Sequence, residues 1–249
     1  MPTVVLDAGH GGTNPGALNG TRREADDALR MALAVGNLLT QCGVRVIYTR
    51  STNIDLPLAR RAEISNNAGA DLFVSIHRNA SANPNFNGVE NWVFTTPSQN
   101  ALRAAQIVLD RVAAVGVQSN HGIKRGNFAV LRLTRAPAML LELGFITNAE
   151  DNRLFDTNFN RYAQAVARGI LDYFGIRCNV PLPPTTSTTG TVRTQGGNLN
   201  LRSAPNINAA VIGSIPNGTQ LQITGQQNGF YNAIFNGVNG FASKDFIRL

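Results

Sequence analysis

The feature that most constrains this chain is residues 4–12, VVLDAGHGG, an apolar run of β-formers that passes through Asp7-Ala8 into a histidine set among glycines. Such a run marks a strand buried on both faces, and one that opens into glycines places the next residues at its carboxyl end. His10 is therefore expected at a crevice and not in a core. Glycines at 9, 11 and 12 allow backbone angles other residues avoid and keep side chains away from the imidazole. A lone loop histidine is more often a hydrogen-bonding residue than a metal ligand, so partners must come from elsewhere.

Residues 14–21 read as a surface turn, and from Glu24 the pattern becomes helical to about residue 40, with Leu29, Leu33, Leu38 and Leu39 as the expected buried stripe. Glu24 falls in the first turn, where a carboxylate complements the helix dipole; a ligand role gains weight because this helix follows the His10 loop. Residues 44–49 predict a strand, and 58–68 a helix carrying Arg60, Arg61 and Glu63. Residues 71–77, DLFVSIH, form another apolar strand ending in a histidine. If the two strands are adjacent and parallel, their carboxyl ends border one crevice and bring His10 to His77. Two imidazoles and a carboxylate make a zinc set that leaves a fourth position for water.

Residues 79–91 are polar and turn-rich, 92–94 a short strand and 98–115 a long helix. His121 is expected in a loop, exposed and uncommitted. Residues 128–133 and 138–143 read as strands. Glu142, inside the second and just before Gly144, is a carboxylate in an apolar run, so it should be ion-paired, protonated or catalytic. A last helix is predicted over 151–174. Asp7 is expected either to accept from the ligands' outer N–H groups or to end its strand as a turn residue.

LDAGHGG, Glu24 at a helix head, LARRAEISNNAGADLFVSIHRNA and MLLELGFITNAED resemble, in order and spacing, the type-3 class of zinc-dependent N-acetylmuramoyl-L-alanine amidases. The resemblance spans residues 3 to about 175. It implies zinc ligands at His10, Glu24 and His77, a catalytic glutamate at Glu142, and hydrolysis of the bond between N-acetylmuramic acid and L-alanine in bacterial peptidoglycan. Two departures stand out. Arg78 replaces a small residue and is expected at the cleft rim or in solvent, and residues 79–92 are too few for the occluding helix of some members, so an open site is expected. The alternatives are a zinc peptidase or deacetylase acting on another wall bond, and a catalytically dead wall-binding protein.

Residues 178–190 are rich in proline and threonine and read as an extended spacer between a catalytic domain, 1–177, and a second domain, 191–249. The second consists of short alternating runs separated by Asn-Gly turns, the mark of a small all-β barrel. Leu199, Leu201, Arg202, Gly213, Gly218, Phe230-Tyr231 and Gly240-Phe241 make it similar to bacterial SH3-type cell-wall modules. The expected fold is thus an α/β domain with a mixed, largely parallel sheet, followed by an SH3-like barrel. The formal net charge of +7 suits anionic wall polymers as partners. No basic run with interleaved aromatics points to nucleic acid, no apolar run is long enough to cross a bilayer, and a monomer is expected. Residues 1–10 hold neither a basic leader nor a cleavage-site pattern, which fits a phage lysin kept in the cytoplasm until lysis or a trimmed autolysin acting at the wall. Cys42 and Cys178, far apart and without CxxC spacing, are expected to be free thiols.

Overall fold

The computed structural model describes residues 1–178, 188–227, 229–236 and 238–249. It divides into two compact units, Met1–Val180 and Pro181–Leu249. The first contains β1 (Thr3–Ala8), a small hairpin of β2 (Leu18–Asn19) and β3 (Arg22–Arg23), α1 (Glu24–Gln41), β4 (Arg45–Tyr48), α2 (Leu58–Asn67), β5 (Leu72–Asn79) and β6 (Val89–Val93). It continues through α3 (Gln99–Ala113), β7 (Asn120–Arg125), α4 (Ala129–Leu133), β8 (Ala138–Phe145), α5 (Ala149–Thr157) and α6 (Phe159–Phe174).

Six strands form one sheet in the order β4-β1-β5-β8-β6-β7. The first four run parallel, β6 is antiparallel to β8, and β7 is parallel to β6. Because side chains alternate across a strand, each strand supplies both faces. Leu6, Val74 and Leu141 pack with Met31, Val35, Leu109, Val166 and Ile170 beneath α1, α3 and α6. On the opposite face Val5, Phe73 and Leu140 meet Val130 and Leu131 of α4. The mixed, largely parallel sheet between helices is the architecture expected from the sequence. It sets the carboxyl ends of β1, β5 and β8 side by side.

Several local expectations are corrected. Residues 128–133 are rich in β-formers, yet Ala129–Leu133 is a short helix over the sheet. The last helix breaks at Asn158 into α5 and α6. In α1 only Leu39 of the predicted leucine stripe is buried; the chain instead buries Met31 and Val35 together with Ala25, Ala28 and Ala32, whose small side chains suit close packing. Cys42 and Cys178 are not free but form a disulfide across 136 residues of sequence. Each follows the last turn of a helix, α1 and α6, and the two helices share one core cluster. Closing so long a loop restricts the unfolded chain, so reduction should cost about 2–5 kcal/mol, or roughly 5–15 °C in melting temperature. Thermal unfolding with and without reductant measures this, and an unchanged midpoint would mean that the bond is absent or irrelevant to stability.

Apart from one 3-10 turn at Lys244–Phe246, the regular elements of the second unit are strands among the described residues: β9 (Thr188–Val192), β10 (Leu199–Arg202), β11 (Val211–Ile215), β12 (Gln220–Gln227), β13 (Phe230–Phe235), β14 (Val238–Ser243) and β15 (Ile247–Arg248). They pair antiparallel in the order β11-β10-β14-β13-β12-β9-β15 around Val192, Leu201, Ile215, Leu221, Ala233 and Ile247. Thr188–Gly190, read from the sequence as spacer, belong to β9; residues 179–187 of that spacer lie outside the described residues. Among the described residues no helix is long and apolar enough to cross a membrane.

Candidate metal centre and active site

Three parallel strands and one helix end bring the predicted residues together. His10 follows β1, His77 lies near the end of the adjacent β5, and Glu24 is the first residue of α1. Glu24 Oε1 is 2.7 Å from His77 Nδ1, and Oε2 is 3.1 Å from His10 Nε2. The imidazole rings meet edge to face with centroids 5.0 Å apart. One donor atom from each of the three residues lies within 4.8 Å of the others, a spacing that a cation bonding at about 2 Å can bridge.

The outer nitrogen of each ring is also engaged, so both imidazoles are held with their inner nitrogens toward Glu24. His10 Nδ1 lies 3.1 Å from Asn14 Oδ1, which also accepts from the Gly16 N–H. His77 Nε2 lies 3.1 Å from Ser75 Oγ, whose hydroxyl donates to Asp7 Oδ2 at 2.7 Å. With its proton committed to Asp7, Ser75 Oγ is an acceptor for His77 Nε2, and the contact orients the ring with Nδ1 toward Glu24. Glu24 is anchored too, by the N–H groups of Ala17 (2.8 Å) and Arg78 (3.2 Å). Burial opposes its charge, but hydrogen bonds from His10 and His77 outweigh that and hold the carboxyl well below its usual range. Burial likewise opposes charge on His10, and Glu24 overrides it, raising its pKa. Two imidazoles competing for one carboxylate are also the donor set a divalent cation takes over from protons, so the residues fit zinc.

Space for these rings is made by glycine. A Cβ at Gly9 would come within 2.3 Å of the His77 ring, and one at Gly16, where φ is +68°, would lie 2.5 Å from Glu24 Oε2. His10 itself has φ +58°, a left-handed conformation that costs about 1–2 kcal/mol for a residue with a side chain. Two buried arginines hold the loop in that state. Arg50 donates to the carbonyls of Ala8 (2.9 Å), Gly9 (2.7 Å) and Ala25 (2.8 Å). Arg61 donates to the carbonyls of Ala8 and His10 and pairs with Asp7 Oδ1 at 2.8 Å. Asp7 therefore acts on His77 through Ser75 while neutralising Arg61.

Glu142 is the register partner of His77 on one side and of Glu90 on the other. Its Oε2 is buried with no hydrogen-bond partner, and no arginine pairs with it among the described residues. Burial, then the charges of Glu24 and Glu90, push its pKa well above the carboxylate range. Glu90 accepts from Asn79 Nδ2 (2.7 Å) and Trp92 Nε1 (2.9 Å).

This geometry coincides with a family match. Residues 4–172 fit the family model described as N-acetylmuramoyl-L-alanine amidase, and residues 197–248 fit that of the bacterial SH3 domain. The chain belongs to the N-acetylmuramoyl-L-alanine amidase family. A Staphylococcus epidermidis protein named Probable cell wall amidase LytH is 33% identical over 177 residues, 69% of this chain and 58% of that protein. The Bacillus subtilis N-acetylmuramoyl-L-alanine amidase LytC is 32% identical over 69% of this chain and 35% of its own length. The chain thus matches less than two thirds of the length of either relative. Among solved structures, the catalytic domain of the amidase CwlV from Bacillus (Paenibacillus) polymyxa var. colistinus is 37% identical, with a TM-score of 0.67 over 71% of this chain and all of that one.

Within this amidase fold Arg78 is neither at the rim nor in solvent. It is 1% exposed, donates to Asp27 Oδ2 (2.8 Å) and Asn152 Oδ1 (2.7 Å), and lies 4.2 Å over the Phe155 ring. The reason is alternation: with His77 facing the site, its neighbour must face the helices beneath. His121 is also more engaged than expected, half-buried in β7, stacked on Phe86 at 5.2 Å and bonded through Nε2 to the Asn87 carbonyl. It stands outside the His10–Glu24–His77 group. Residues 80–88, between β5 and β6, contain no helix, and the His10 side chain is 26% exposed.

Proposed function

We propose that this chain is a zinc-dependent N-acetylmuramoyl-L-alanine amidase that hydrolyses the amide between the lactyl group of N-acetylmuramic acid and L-alanine in bacterial peptidoglycan. In this reading His10, Glu24 and His77 hold the ion, and Glu142 moves the proton. The observation that carries it is the convergence of those three side chains at neighbouring strand ends beside a buried carboxyl with no partner. Lewis acidity, from a zinc ion held by these three residues, is what the site needs to polarise the amide carbonyl and to acidify water. Glu142 takes the proton of the attacking water and returns it to the leaving nitrogen as the C–N bond breaks. The products are a lactyl carboxylate and a free α-amino group on L-alanine.

Digestion of purified cell walls tests the reading. New N-terminal alanine without new reducing ends supports it, with the activity removed by a chelator and restored by zinc. Released acetate, or new amino groups on other residues, would identify a deacetylase or peptidase instead. The site's second prediction concerns affinity: Ser75→Ala, which unfastens the His77 ring, should weaken zinc binding about 10–100-fold by competition with a chelating dye. Unaltered affinity would mean that Ser75 does not orient the ligand.

The C-terminal unit serves in this reading as a wall anchor that raises the enzyme's local concentration on an insoluble substrate, with anionic wall polymers as further partners. Removing residues 181–249 should reduce adsorption to walls while sparing turnover of soluble muropeptides; loss of both would mean that this unit is needed for the site. The disulfide supports action in an oxidising compartment outside the cytoplasm.

A further inference from the structure

The β6–β7 edge offers a cation and two aromatic rings that the proton chemistry does not use. Glu90 faces Glu142 across the β6–β8 pair, and Trp92 faces Lys124 across the β6–β7 pair. Register partners and alternate residues share a face, so Glu142, Glu90, Trp92 and Lys124 all lie on the side of the sheet that carries His77. Strand spacing of about 4.8 Å and a rise of about 3.3 Å per residue separate the Cα atoms of Glu142 and Lys124 by roughly 12 Å. Lys124 is one of two lysines in a chain otherwise basic through arginine. It is half-buried, and among the described residues it makes no ion pair or side-chain hydrogen bond.

Beside it, the Trp92 indole is held by its bond to Glu90 and meets Phe128 edge to face at 5.2 Å. Phe128 remains 38% exposed. An unpaired ammonium next to apolar rings fits a ligand with a carboxylate on an aliphatic frame. Of the two arms flanking the scissile amide, sugar rings are uncharged and the stem peptide carries carboxylates. Glu90 and Glu142 repel such a group from the reacting end, so charge complementarity places it at the far end of the row.

Resting on the amidase reading, we propose that this edge is the stem-peptide subsite, with a stem carboxylate paired to Lys124 and the peptide's aliphatic part against Trp92 and Phe128. The test compares a soluble muramyl tetrapeptide whose stem carboxylates are free with its amidated counterpart, using the full-length zinc enzyme. Wild type should show a KM about tenfold lower for the free acid, the worth of one charge-assisted contact. Lys124→Met should bring the two KM values together, and Lys124→Arg should keep them apart. The ratio between substrates is insensitive to partial loss of folded protein. Persistence of the preference in Lys124→Met, or its absence from wild type, would overturn the subsite while leaving the amidase reading intact. Wild-type failure on both substrates would remove the amidase reading and this subsite with it.

Discussion

Replacing Glu142 by glutamine should lower kcat by about 10²–10⁴-fold while leaving zinc content unchanged, because the substitution keeps the side chain's shape and removes only its capacity to accept and return a proton. The same change should not destabilise the fold. Glu142 Oε2 is buried without a partner and faces the charges of Glu24 and Glu90, so a neutral amide relieves repulsion there. A melting temperature equal to or above that of wild type, together with the lost turnover, separates a chemical role from a structural one. Activity near the wild-type level would assign the proton transfer to another group, and Glu90, the nearest carboxyl across the strand pair, would be the first to examine.

The second large effect is on stability. Arg61→Ala should cost about 3–5 kcal/mol in denaturant unfolding, since it leaves Asp7 charged and unpaired at 1% exposure and strips donors from the carbonyls of Ala8 and His10. Arg61→Lys should recover only part of this, because one ammonium cannot replace a planar group that donates from Nε, Nη1 and Nη2 to separate acceptors. Adding Asp7→Asn to Arg61→Ala should cost less than the two single changes summed, as the pair shares one interaction. A loss below about 1 kcal/mol would mean that the buried pair does not brace the His10 loop.

These two residues also mark what could be read in the sequence. Glu142 is legible because a carboxylate in an apolar strand before a glycine is anomalous on its face. His10 and His77 are legible because apolar strands that end in histidine point to a sheet's carboxyl edge, and β1 and β5 are indeed parallel neighbours. Arg61 is not legible in its role, since neighbouring positions on a helix differ by about 100° and nothing local tells which of Arg60 and Arg61 turns inward. Arg50 follows a strand as any surface residue could. Its task appears only when the carbonyls of Ala8, Gly9 and Ala25 surround it.

Other differences have similar causes. Tertiary cover decides α4, whose sequence of Ala-Val-Leu-Arg-Leu suits a strand but whose Val130 and Leu131 cap the sheet face. The disulfide joins cysteines that become neighbours only when α1 and α6 pack side by side. Arg78 could have been placed from β5 alone: in a strand with His77 on the site face, position 78 belongs to the opposite one.

Diffraction from zinc-loaded crystals, with anomalous differences recorded at the zinc absorption edge, tests the account at its centre. The expected map has one strong peak in the catalytic unit, bonded by His10, Glu24 and His77, with Glu142 nearby and not itself bonded to the ion. A peak held by other side chains, or no peak among these three, would contradict it.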